Sequence, residues 1–107
     1  MESYVICFIT VNTSENAVKI ATNLVQEKIA ACVNFFSSLR SIYWWQGEIC
    51  DETEFLLIAK TRASLFEKLK QRVIELHPYE IPEIICVNIS DGLDEYLSWI
   101  NDSTKIS

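Results

Sequence analysis

The chain has 107 residues, half of them hydrophobic, with 9 Lys and Arg against 15 Asp and Glu, a formal net charge of −6. That length and apolar content predict one domain spanning residues 1–107 with a core of its own, and they exclude intrinsic disorder. An acidic balance without a basic run argues against nucleic acid and anionic lipid as partners. No stretch approaches the ~20 apolar residues that cross a bilayer, and Met1-Glu2-Ser3-Tyr4 lacks the basic start of a signal peptide, so a cytoplasmic location without a membrane partner is expected.

Tyr4–Val11 is apolar and rich in β-branched residues, which predicts a strand. Thr13 and Ser14 then offer capping oxygens to a helix whose apolar face runs through Ala17, Ile20, Ala21, Leu24 and Val25, closed by the aliphatic stem of Lys28. Cys32 to Trp45 reads as a second strand, Gln46-Gly47-Glu48 as a tight turn, and Glu48–Thr61 as the return strand. Ser64 and Glu67 match a capping box at the start of a helix marked by Leu65, Leu69, Val73 and Leu76 and stopped by Pro78. Glu83–Ser90 predicts a fourth strand, Leu93–Ile100 a short amphipathic helix, and Asn101–Ser107 a frayed polar tail. The order β-α-β-β-α-β-α is that of an α+β, ferredoxin-like βαββαβ sandwich with an added C-terminal helix.

These strands do not alternate apolar with polar. Val5, Cys7 and Ile9 oppose Ile6 and Phe8 on the first; Leu57 and Ala59 oppose Leu56 and Ile58 on the third; Ile84 and Cys86 oppose Ile85 and Val87 on the fourth. Two helices on one face would leave the other exposing more apolar surface than soluble monomers carry. Association through the sheet is therefore expected, unless the last helix folds over the open face. Ile42-Tyr43-Trp44-Trp45 adds large rings of the kind that anchor interfaces.

Chemistry-bearing residues are few. Cys7, Cys32, Cys50 and Cys86 form no C-x-x-C pair, which excludes a zinc knuckle, and the apolar runs around Cys7, Cys32 and Cys86 predict buried free thiols. His77, the one histidine, either caps the helix end beside Pro78 or serves as a metal ligand or titrating group. Glu80 and Glu83 are either solvated charges or a carboxylate pair, and Lys60 either snorkels to a sheet edge or lines a site. Nothing supplies a nucleophile with a base and an orienting group, so no enzyme is expected.

Ala30-Ala31-Cys32-Val33-Asn34, Ser41 through Ile49 with Tyr43-Trp44-Trp45-Gln46-Gly47-Glu48, Lys60-Thr61, His77-Pro78-Tyr79-Glu80-Ile81-Pro82-Glu83 and Tyr96-Leu97-Ser98-Trp99-Ile100 stand in one order with one spacing. Together they resemble the CutA divalent-cation-tolerance family over nearly the whole chain. The resemblance implies a ferredoxin-like homotrimer whose subunits pair strand edges, and a cytoplasmic, non-enzymatic role in copper and divalent-metal tolerance. It implies no required cofactor, with copper or another divalent cation as the ion bound. Matched positions assign Trp45, Lys60, Tyr79 and Glu83 to a ligand-binding cleft. Of the bacterial copper ligands one remains, His77, with Leu76 at its paired position and Ile9 at the strand cysteine. Cys7, two residues earlier on the same face, and the recurrent family cysteine Cys32 complete the metal candidates. Because the trimer resembles that of PII signalling proteins, the alternative is a small-effector-binding module with clefts between subunits.

Overall fold

A computed structural model describes residues 2–105, with β1 (Tyr4–Val11), α1 (Ser14–Gln26), β2 (Cys32–Trp45), β3 (Glu48–Arg62), α2 (Phe66–Leu76), β4 (Ile84–Asn88) and α3 (Asp94–Ser103) in succession. The strands make one antiparallel sheet in the order β2-β3-β1-β4. Each βαβ unit is thereby split by a strand of the other, the α+β arrangement that the element order predicts.

Side chains alternate across a strand, so Val5, Cys7, Ile9 and Val11 share one face of β1. They are buried there with Leu57 and Ala59 of β3 beneath Ala17, Ile20 and Leu24 of α1 and Leu69 and Val73 of α2. The opposite face is incompletely covered. Phe36, Ile85 and Val87 on it are 51%, 54% and 48% exposed. The last helix does not close that face: α3 is fastened at the Arg62 end of β3, where Arg62 Nε donates to Thr104 Oγ1 at 2.9 Å and Ile100 is buried.

Local chemistry sets the element ends. Thr13 caps α1, its Oγ1 accepting from the Asn16 N–H at 3.1 Å. The helix closes in a Schellman arrangement: Ile29 N–H donates to Leu24 O, Lys28 N–H donates to Val25 O, and Lys28 takes φ 59°. That reversal ends the apolar stripe earlier than its spacing predicts, leaving Val25 and Lys28 exposed while Ile29 turns into the core. At α2 the expected capping box does not form. A 3-10 turn, Ala63–Leu65, precedes the helix, Leu65 stands at its cap without a side-chain bond, and the Ser64 hydroxyl donates to Glu2 Oε1 at 3.4 Å. β4 is shorter than Glu83–Ser90. The expected frayed tail is helical as far as Ser103, with Thr104 buried; residues 106–107 lie outside the described residues.

The β2–β3 hairpin turns on Gln46 and Gly47, both at positive φ (50° and 81°), the conformation of a two-residue type I′ turn. One extra residue in β2 makes a bulge between Phe36 and Leu39, with Ser38 at φ 67°.

Candidate functional site

β1 pairs with β3 only as far as Phe55, opposite Val11, so the hairpin runs on beyond the sheet as a two-stranded ribbon. On that ribbon Glu52 and Glu54 are two residues apart and share the face turned away from the helices, in line with Leu56 and Ile58. The bulge at Ser38 moves β2 by one residue. Ser41 and Tyr43 consequently stand opposite Glu52 and Cys50, on that same face. Pro78 follows the C-cap of α2, and the loop after it carries Tyr79, Glu80, Ile81 and Glu83 across the ribbon's base. Together they enclose a cleft of about 1000 Å³, lined also by Thr10, Arg40, Trp44 and Trp45.

The cleft is acidic. The Tyr79 hydroxyl donates to Glu54 Oε2 at 2.6 Å, and Glu54 is 5% exposed. Burial, then that bond and the charges of Glu54 and Glu52, push the Tyr79 phenol well above its ordinary range. Burial and the Glu52 carboxylate raise Tyr43 to about 12. Burial, and secondarily Glu54, hold Glu83 above the usual carboxylate range. Arg40 is the one cationic side chain among the described lining residues, and it is engaged: Nε and a terminal nitrogen donate to the two oxygens of Asp51 at 2.9 and 2.6 Å. Four carboxylates, Glu52, Glu54, Glu80 and Glu83, therefore face the cleft with no free cation among the described lining residues.

His77 holds this loop in place. Its Nε2 lies 2.7 Å from Thr10 O, and its Nδ1 accepts the Tyr79 N–H at 3.1 Å. A backbone N–H at Nδ1 and a carbonyl at Nε2 require the neutral tautomer protonated on Nε2. Burial lowers the His77 pKa, against the raising effects of the Thr10 carbonyl and Glu54. The ring also meets Tyr79 edge-on, centroids 4.6 Å apart. Its side chain thus bridges β1 and the loop after α2 rather than capping α2, and both nitrogens are occupied.

Of the expected cleft residues, Trp45, Tyr79 and Glu83 come together. Lys60 does not: its ammonium donates to Asn34 Oδ1 and lies 4.0 Å from Cys32 Sγ. Nor does one chain gather His77, Cys32 and Cys7. Cys7 is fully buried on the helix side, whereas Cys32, paired in register with Lys60, stands on the other side of the sheet. Among the described residues no group of three or more His, Cys, Asp and Glu is placed to hold a metal ion. Glu52 and Glu54 escaped the sequence reading, which took Tyr43 only as an interface ring. The signal for the first two is acids at i and i+2 in Asp51-Glu52-Thr53-Glu54, on the face that continues Leu56 and Ile58.

Residues 5–103 match the family model of the CutA1 divalent ion tolerance protein. A divalent-cation tolerance protein CutA of Thermus thermophilus is 49% identical over 99 residues, 92% of this chain and 96% of that protein. A chloroplastic CutA of Arabidopsis thaliana is 43% identical over 101 residues, and there the chain spans 56% of the relative's length. The crystal structure of CutA1 from Oryza sativa superposes with a TM-score of 0.94, at 38% identity over 98% of this chain and 96% of that one. The chain belongs to the CutA1 divalent ion tolerance family.

Proposed function

We propose, from that membership as the premise, that the chain serves divalent-cation tolerance as a non-enzymatic homotrimer and that its acidic cleft draws in divalent cations, although no three acids of one chain converge on a single ion among the described residues. The observation that carries this reading is the lining itself: Glu52, Glu54, Glu80 and Glu83 with the hydroxyls of Tyr43 and Tyr79, and Arg40 already bound to Asp51. Carboxylate and hydroxyl oxygens attract cations and repel anionic effectors. Soft ligation by His77, Cys32 and Cys7 would need donors from neighbouring subunits, because one chain keeps them apart.

Trimer assembly has separate support. Phe36, Ile85 and Val87 lie on an uncovered sheet face, and β2 and β4 are free edges. The ribbon beyond Phe55 exposes Ile42, Trp44 and Ile49, and an isolated two-stranded ribbon is marginal without a surface to rest on. Docking each ribbon on a neighbour would answer both needs. The absence of an enzymatic role is supported by His77, whose ring nitrogens are both committed to backbone groups. No helix of the described residues is long and apolar enough to cross a membrane, and a cytoplasmic site of action accords with four free thiols.

The effector-binding alternative places Trp45, Lys60, Tyr79 and Glu83 in a cleft between subunits, and within one chain Lys60 stands apart from the other three. Equilibrium dialysis separates the two readings. Retention of Mn(II), Zn(II) or Cu(II), and of no nucleotide or dicarboxylate, supports the cation site; retention of an anion alone overturns it.

A further inference from the structure

β1 and β4 carry a pair of thiols with no role in the cleft. Cys7 and Cys86 are direct cross-strand partners in the antiparallel register, so their side chains project from the same face. Both sulfurs are free thiols. Cys7 is fully buried in the core, whereas Cys86 is half-buried on β4, an edge strand that pairs with β1 alone. From this opposition of Cys7 and Cys86 we propose a two-coordinate site for a soft monovalent cation, Cu(I) or Ag(I), bound between the two thiolates.

Three considerations select that ion class. Thiolate sulfur is a soft donor and favours Cu(I) over hard divalent ions. Directly opposed Cβ atoms lie about 4.5–5.5 Å apart, and two metal–sulfur bonds of about 2.3 Å laid end to end span a similar distance. The neighbours on that face supply no further soft ligand: Val5, Ile9, Ala59 and Ile84 are apolar, Asn88 offers only a hard amide, and no third His, Cys, Asp or Glu completes a group among the described residues. A four-coordinate ion such as zinc would be left unsatisfied, whereas a linear one is complete.

On binding, two S–H bonds break, both protons pass to solvent and two metal–sulfur bonds form, with no change of oxidation state. Burial, and secondarily Cys86, raise the Cys7 thiol to about 12, so without metal Cys7 stays protonated. The bound monovalent cation offsets one of the two thiolate charges that the apolar site would otherwise exclude, and half-buried Cys86 leaves the remaining charge near solvent. This site is independent of the acidic cleft, and loss of one leaves the other intact.

The test is a titration of the full chain, reduced and under nitrogen, with Ag(I) and with Cu(I) held by a competing chelator. Near-ultraviolet thiolate-to-metal absorption reads the bound fraction. One equivalent per chain is expected for the wild type and for a Cys32→Ala/Cys50→Ala control. Cys86→Ala and Cys7→Ala are each expected to lose it, with affinity lowered at least a hundredfold; Cys86→Ala, at the edge, keeps the test decisive if Cys7→Ala folds poorly. Absence of binding in the wild type, survival of the equivalent in Cys86→Ala, or its loss in the control would each overturn the proposal. Unchanged Mn(II) retention by Cys86→Ala separates this site from the cleft.

Discussion

The hydroxyl of Tyr79 and the buried carboxylate of Glu54 meet at 2.6 Å, joining the loop after α2 to the ribbon that extends β3. The bond closes the base of the acidic cleft, because Tyr79 is itself held from behind by His77. Sequence separation hides this: the partners lie 25 positions apart and on different elements.

Tyr79→Phe keeps the ring against His77 and removes the donor to Glu54. A buried acceptor left without its partner costs about 1–3 kcal/mol. Chemical denaturation at fixed protein concentration is expected to show a loss of that size, and Tyr79→Phe/Glu54→Gln is expected to recover part of it. Strict additivity of the two single changes would mean that the bond contributes nothing.

His77 makes stability depend on pH. Its folded pKa lies below the unfolded value of about 6.5, so in the window between them the unfolded chain binds more protons than the folded one. Stability then rises with pH: the contribution is whole above about 6.5 and is lost as pH falls toward the folded pKa. Protonation also abolishes the Nδ1 acceptor for the Tyr79 N–H. Unfolding midpoints measured across that window should fall with acidification in the wild type, and the His77→Gln variant should lack that part of the slope.

The two helix starts differ in a way that can be weighed. Thr13→Ala removes a real cap and is expected to cost about 1 kcal/mol. Ser64→Ala removes a hydroxyl that caps nothing and is expected to stay within about 0.5 kcal/mol of the wild type. Equal losses would show that Ser64 does cap α2.

Ile85→Glu places a charge on the uncovered sheet face without touching the core. Burial of an aliphatic side chain contributes roughly 1.5–3 kcal/mol, so the substitution is expected to weaken assembly at least about tenfold per contact. Sedimentation velocity reads this directly. A wild type that sediments as a single chain would remove the assembly account altogether.

Element order and the apolar character of both sheet faces were legible because periodicity and β-branched content act locally. Helix ends were less so. Lys28 at φ 59° and the 3-10 turn before α2 are settled by where Ile29 and Leu65 must go, and an S-x-x-E spacing carries no trace of that. For the site, Trp45, Tyr79 and Glu83 were found through family motifs. Lys60 stands apart from them in one chain, because residues matched in a motif need not share one wall of a single chain. Glu52 and Glu54 became site residues only once the bulge at Ser38 and the loop after Pro78 turned their face into a cleft.

The most direct test of the account is calorimetric titration of the assembled protein with Cu(II) and Zn(II), repeated on Glu83→Gln and His77→Gln. Saturable binding is expected, weakened about ten- to a hundredfold by Glu83→Gln, the loss typical when a partner of a metal site is removed, and little changed by His77→Gln. Binding that ignores Glu83 and vanishes with His77 would contradict the acidic-cleft account, and no binding of either ion would end it.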